Sequence, residues 1–184
     1  DNILVGGSSN DRMIGGLGDD TYVFFDNWGQ DEVVENPGEG NDTMTFVTVT
    51  GDLTITFNGT ILTVSEGTNL VSTMTSTTGD NHVENVIGGV GNDTFKFVNG
   101  DAALGVVDGG LGSDTLDYSA YATARHFVLT AVGTLNGFMG TEVSLGGFDN
   151  INALIGTGLI ASDSLTGLNA ASTWNINVAD ETYQ

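Results

Sequence analysis

Gly15-Gly16-Leu17-Gly18-Asp19-Asp20-Thr21-Tyr22-Val23 decides how this chain folds. It follows the frame G-G-x-G-x-D-x-U-x at every fixed position, where U is a large apolar residue. Glycines tolerate positive φ and leave the carbonyls of a tight turn bare. The aspartate that follows adds a carboxylate, so the turn offers oxygen ligands only, a set suited to a hard cation such as Ca²⁺. Thr21-Tyr22-Val23 then reads as a short strand with Tyr22 directed inward.

The same frame recurs on both sides. Residues 6–14 (GGSSNDRMI) repeat it with Ser9 in place of the third glycine, and Asn2-Ile3-Leu4-Val5 reads as the tail of an earlier copy with Asn2 in the aspartate slot. Single copies follow at 88–97 (GGVGNDTFKF) and 109–117 (GGLGSDTLD). Residues 37–45 (PGEGNDTMT) carry Pro37 at the first glycine, and 156–165 (GTGLIASDSL) form a stretched copy. The strands after these turns are expected to bury Met13, Tyr22, Met44, Phe95 and Leu116.

Asp20 and Asp42 are 22 residues apart, and Asp93 and Asp114 are 21 apart. A longer period lies over this, with 73 residues from Asp20 to Asp93, 72 from Asp42 to Asp114 and 70 from Asp93 to Asp163. Such periods are the signature of a repeat architecture. They divide the chain into units 1–80 (tandem nonapeptides plus Thr-rich strands) and 81–148, with a partial unit at 149–184. Between the turns, Leu53, Ile55 and Phe57, then Phe127 and Leu129, then Trp174, Ile176 and Val178 alternate with polar residues, as strands with one buried face do. Residues 47–79 and 119–148 read equally as broader coils or as hairpins.

Composition narrows the function. There are 24 acidic residues against 3 Lys plus Arg, a formal net charge of −21, yet 39% of residues are hydrophobic and patterned. Folding crowds those carboxylates together, and bound cations relieve the repulsion. The charge excludes a nucleic-acid face, which must be basic. No apolar run is long enough to span a bilayer. Cysteine is absent, which removes disulfides and thiolate metal sites. His82 and His126 lie 44 residues apart with no HExxH, no G-x-S-x-G elbow occurs, and no Lys follows the glycine clusters as a phosphate loop requires. The chain is expected not to be an enzyme.

These turns resemble the RTX calcium-binding repeat family, in particular the repeat regions of large bacterial surface proteins and adhesins. The resemblance covers residues 1–46 and 81–118 well and 149–178 weakly. It implies an all-β fold, a parallel β-helix or β-roll solenoid with Ca²⁺ held between Gly-Asp turns, with room for added antiparallel strands or hairpins. Carried over by position, it implies several Ca²⁺ ions held by the carboxylates of Asp11, Asp20, Asp93 and Asp114. The carbonyls of Gly7, Ser9, Gly16, Gly18, Gly89, Gly91, Gly110 and Gly112 complete those shells, and Asp42 with Gly38 and Gly40 forms a further site. Sharing of an ion is expected between tandem copies more than across the 21–22 residue coils.

The resemblance also implies a secreted or cell-surface protein, bacterial, exported by a type I-like route. Three roles fit: a structural or adhesive module, the secretion-associated tail of a calcium-dependent enzyme, or a carbohydrate-binding β-helix module. The 72-residue period favours the first, since secretion tails are uninterrupted nonapeptide tandems. The sequence opens inside a repeat, so further copies or flanking repeats of the same protein are the expected partners, joined head to tail into a filament.

Overall fold

The computed structural model describes residues 1–59, 61–74, 82–98, 104–157 and 163–168, and the regular structure of these is entirely β. The chain passes back and forth between two sheets. β1 (Ile3–Val5) lies in the first sheet, β2 (Arg12–Ile14) in the second, β3 (Thr21–Val23) in the first, β4 (Gln30–Val34) in the second and β5 (Thr43–Thr45) in the first. Three strands then stay in the second sheet: β6 (Thr54–Asn58), β7 (Ile61–Glu66) and β8 (Asn69–Met74). The chain returns to the first sheet at β9 (Asn85–Ile87), the second at β10 (Thr94–Val98), the first at β11 (Leu104–Asp108) and the second at β12 (Thr115–Ala120). Now the first sheet receives three strands, β13 (His126–Val132), β14 (Phe138–Glu142) and β15 (Leu145–Ile151). β16 (Ala153–Ile155) closes the second sheet and β17 (Ser164–Thr166) the first.

Both sheets are mixed. The first runs β1-β3-β5-β9-β11-β15-β14-β13-β17 and the second β16-β12-β10-β6-β7-β8-β4-β2. Neighbours built from glycine-turn strands pair in parallel, whereas β6–β7–β8 and β13–β14–β15 pair antiparallel. Residues 47–79 and 119–148 therefore contribute hairpin strands that lie in the plane of a sheet. β10–β16 repeat the order and pairing of β3–β9: β8 pairs β4 as β15 pairs β11, and β6 pairs β10 as β13 pairs β17. Five crossings separate β3 from β10, an odd number, so the two sheets exchange roles between the repeats. The alternating stretch at 174–178 lies outside the described residues.

The inward positions follow the sequence pattern. Met13, Tyr22, Met44, Phe95 and Leu116 are all buried, with Ile55, Phe57, Val86 and Val107 beside them. Parallel, in-register strands ~4.8 Å apart place equivalent side chains directly over one another. Phe57, Phe97 and Tyr118 accordingly stack with centroids 4.7 and 4.3 Å apart. Phe24 and Phe46 stack at 4.8 Å, with Trp28 edge-on to both.

Candidate metal centre

Strand register decides which carboxylates meet. Ile3, Thr21, Thr43 and Asn85 align across the first sheet, so the residues just before them, Asn2, Asp20, Asp42 and Glu84, form one column. Each acid reaches to the backbone of its neighbour. Asn2 N–H donates to Asp20 Oδ1, Asp20 N–H to Asp42 Oδ1 at 2.8 Å, and Asp42 N–H to Glu84 Oε2 at 2.7 Å. The second sheet has the same device. Leu53 N–H donates to Asp93 Oδ1, Asp93 N–H to Asp114 Oδ1 and Asp114 N–H to Asn152 Oδ1, each at 2.8 Å. Asp11 N–H donates to Asp31 Oδ1 at 2.9 Å.

The tandem copies at Asp11 and Asp20 lead into different sheets, because β2 belongs to the second sheet and β3 to the first. The carboxylates aligned within a column are 20 or more residues apart, so Asp20 stands beside Asp42 and not beside its tandem neighbour Asp11.

One carboxylate oxygen thus caps an amide; the other is the informative one. Asp11 Oδ2, Asp20 Oδ2, Asp31 Oδ2, Asp114 Oδ2 and Glu35 Oε2 are buried without a hydrogen-bond partner. Buried polar groups are nearly always partnered, and an unpaired charged oxygen is costly. The first glycine of a frame lies against the second oxygen, whether that oxygen is open, as in Asp20 and Asp114, or accepts an amide, as in Asp93. A Cβ on Gly15 would meet Asp20 Oδ2 at 2.4 Å, one on Gly88 would meet Asp93 Oδ2 at 2.5 Å, and one on Gly109 would meet Asp114 Oδ2 at 2.7 Å. The stretched copy keeps this relation two residues later, Gly156 against Asp163 Oδ2 at 2.3 Å. A Cβ on Gly6 would lie 3.2 Å from both Asp11 Oδ2 and Asp31 Oδ2, so these two free oxygens face the same space.

Asp20, Glu35 and Asp42 form the tightest acidic group among the described residues. All three are buried, and one oxygen from each lies within 4.8 Å of the others. Tyr22, on β3, donates its hydroxyl to Glu35 Oε1. Burial pushes the Glu35 carboxyl up to about 7, with the Asp42 and Asp20 charges adding to the shift, and burial pushes Asp42 up to about 6. In the second sheet burial raises Asp93 to about 6 and Asp114 to about 7. A carboxyl that is hard to ionise in the bare protein is one whose charge lacks compensation.

The anticipated carbonyl ligands divide. Gly89 O accepts Leu111 N–H at 3.0 Å and Gly110 O accepts Asn136 Nδ2 at 3.0 Å. Gly18 O and Gly91 O face the third glycine of the next coil so closely that a Cβ on Gly40 or Gly112 would lie 2.1 or 2.0 Å from them. Ser9 O faces Gly29 in the same way, at 2.6 Å from a Cβ there. Gly7, Gly16 and Gly38 sit in the turns with φ of 98°, 82° and 76°.

Glu35, Glu84, Asp31 and Asp108 escaped the sequence reading because none stands in a glycine frame. A signal for Glu35 did exist: an acid recurs 73 residues on, at Asp108, between Asp93 and Asp114 as Glu35 lies between Asp20 and Asp42. The single buried cation among the described residues is Arg125, paired with Glu142 at 3.2 Å and over the Tyr121 ring at 4.3 Å. His126 Nδ1 contacts Ser164 Oγ at 2.7 Å across exposed β13 and β17, an ordinary cross-strand bond. No helix among the described residues is long and apolar enough to cross a membrane.

Comparison with protein-family models, with characterised proteins and with solved structures finds no match to this chain.

Proposed function

We propose that this chain is a calcium-stabilised structural or adhesive repeat module of a large secreted or cell-surface protein, and not an enzyme. In this reading the alternating strands are coils of a β-roll-like solenoid. Its two antiparallel insertions widen the sheets, and Ca²⁺ ions sit between stacked Gly-Asp turns. The observation that carries it is the pair of carboxylate columns, where each acid uses one oxygen on a neighbouring amide and several leave the second buried and open. A hard divalent ion bound there bridges successive coils and offsets the acidic charge. Asp11, Asp20, Asp42, Asp93 and Asp114 are the repeat ligands in this account. Further repeats, from the same polypeptide or another copy, are the partners it assigns.

The test is the coupling of metal to folding. A shell built from separate coils does not exist in the unfolded chain, so binding energy becomes folding energy. Extracellular modules bind calcium at ~10⁻⁴–10⁻³ M. Saturation at about 100 times the dissociation constant adds roughly 2.7 kcal/mol per site. Chelator is expected to lower the melting temperature followed by circular dichroism, and millimolar Ca²⁺ to restore it. A melting curve indifferent to both, after verified metal removal, defeats the reading.

A further inference from the structure

We propose that Asp20, Glu35 and Asp42 form an interior calcium site, with Glu35, a residue outside every glycine frame, as its third carboxylate ligand and Tyr22 as the residue that positions it. This deepens the calcium reading above and rests on it. The site joins three consecutive elements: Asp20 precedes β3, Glu35 follows β4 and Asp42 precedes β5. An ion there ties both sheets together across one full circuit of the chain, instead of bridging the rims of two turns.

Two observations beyond the clustering of acids point to a ligand. Asp20 Oδ2 and Glu35 Oε2 are buried without a partner, in residues only 1% and 2% exposed. Gly15 lets the three groups converge: a Cβ there would lie 2.3 Å from Glu35 Oε1, 2.4 Å from Asp20 Oδ2 and 2.5 Å from Tyr22 Oη, so any side chain would push these oxygens aside. The only cation paired with the cluster among the described residues is the exposed α-ammonium of Asp1, 3.9 Å from Asp20 Oδ1 and not on the open Oδ2, while Arg12 pairs with Glu32 and Arg125 with Glu142.

The ligand chemistry selects the ion. Three oxygens within 4.8 Å of one another share a point no farther than about 2.8 Å from each, which puts the ~2.3–2.6 Å of calcium within reach. Magnesium gives up its waters reluctantly and is seldom held by an interior set of protein oxygens, whereas calcium accepts one. The Tyr22 hydroxyl holds Glu35 by one oxygen, leaving the other for the ion.

The experiment uses Ca²⁺, Mg²⁺ and the luminescent analogue Tb³⁺ on the whole chain. An excited phenol transfers energy to Tb³⁺ only over short distances, so the tyrosine-band emission that is lost in Tyr22→Phe reports an ion beside Tyr22. The unaltered protein is expected to show sensitised emission that Ca²⁺ displaces and equimolar Mg²⁺ does not. Glu35→Gln, which keeps the shape and still accepts from Tyr22, is expected to lose that emission and one bound Ca²⁺ in titration calorimetry. It is also expected to melt no lower than the unaltered protein in chelator, because it removes a buried charge; a purely structural Glu35 gives a lower melting temperature there. Asp93→Ala is expected to keep the emission. Glu35→Gln with unchanged emission and stoichiometry overturns this site while leaving the turn sites standing. A chain that binds no Ca²⁺ at all overturns both.

Discussion

The Asp20–Glu35–Asp42 group has a counterpart one long period later in Asp93, Asp108 and Asp114, and the two are completed differently. In the later group the protein supplies the partners. Asp93 takes Leu53 N–H on Oδ1 and Gly89 N–H on Oδ2, and Asp108 Oδ1 takes Gly110 N–H and Asn150 Nδ2. Only Asp114 Oδ2 stays open. In the earlier group Asp20 and Asp42 each accept one neighbouring amide and Glu35 accepts the Tyr22 hydroxyl, with two oxygens open. The position of Tyr22 is occupied by Phe95 in the later unit. That unit also holds the ion pair of Arg125 and Glu142, with Tyr118 hydrogen-bonded to Glu142. Buried carboxylates must find N–H groups, a side-chain cation or a metal. The later unit is built mainly on the first two, whereas Asp20 Oδ2 and Glu35 Oε2 of the earlier group have neither.

The largest separation between the groups is expected from aspartate substitution. Asp93→Ala removes one proposed repeat ligand and also strips two buried amides of their acceptor, at about 1–3 kcal/mol each, a loss expected with or without calcium. Asp20→Ala removes a ligand of the proposed interior site and one amide acceptor only, so it is expected to act mainly by shrinking the gap between melting temperatures in calcium and in chelator. Asp52→Ala, on an exposed residue that caps Asn92 N–H, serves as the control and is expected to leave that gap unchanged. Equal effects from Asp20→Ala and Asp93→Ala on the calcium-dependent gap erase the distinction.

A smaller effect is expected from pH. Burial raises Glu35 and Asp114 to about 7 and Asp42 and Asp93 to about 6 in the folded, metal-free chain. The folded state therefore holds these protons more tightly than the unfolded one, whose acids titrate at ~4. Stability is then lowest above pH about 7, rises as the pH falls through the folded values, and gains nothing further below ~4 from these groups. With calcium saturating, protons compete with the ion and the trend reverses over the same window. Melting temperatures against pH, in chelator and in calcium, read both slopes. Glu35→Gln should flatten the first group's share and Asp114→Asn the second's. Parallel slopes in the two conditions would mean that calcium does not meet these carboxylates.

The smallest effect is expected at the one side-chain hydroxyl that distinguishes the groups. Tyr22→Phe makes the earlier site resemble the later one, removing a hydrogen bond of about 1 kcal/mol. Loss of an orienting partner typically weakens a metal site about 10-fold or more. Titration of the variant with Ca²⁺ measures it, and an unchanged affinity removes Tyr22 from the account.

The sequence by itself determined the local features. Glycine spacing fixed the turns, the x-U-x runs fixed which side chains face inward, and the acidic excess with no cysteine pointed to hard cations. Met13, Tyr22, Met44, Phe95 and Leu116 are buried as the alternation demands, because a strand's two faces are set by a period of two that a few residues reveal. Only the tertiary structure decided which strands lie side by side. A nonapeptide specifies one turn and one strand, its tandem neighbour lands on the other sheet, and the adjacent carboxylate in a column arrives from 20 or more residues away through strand register. The antiparallel triplets were undecided in the sequence because an alternating strand looks the same whichever direction its neighbour runs. Glu35 was missed for a related reason: it has no turn of its own, only an acidic counterpart 73 residues on, and it meets Asp20 and Asp42 because β4 ends where the chain crosses back to the first sheet.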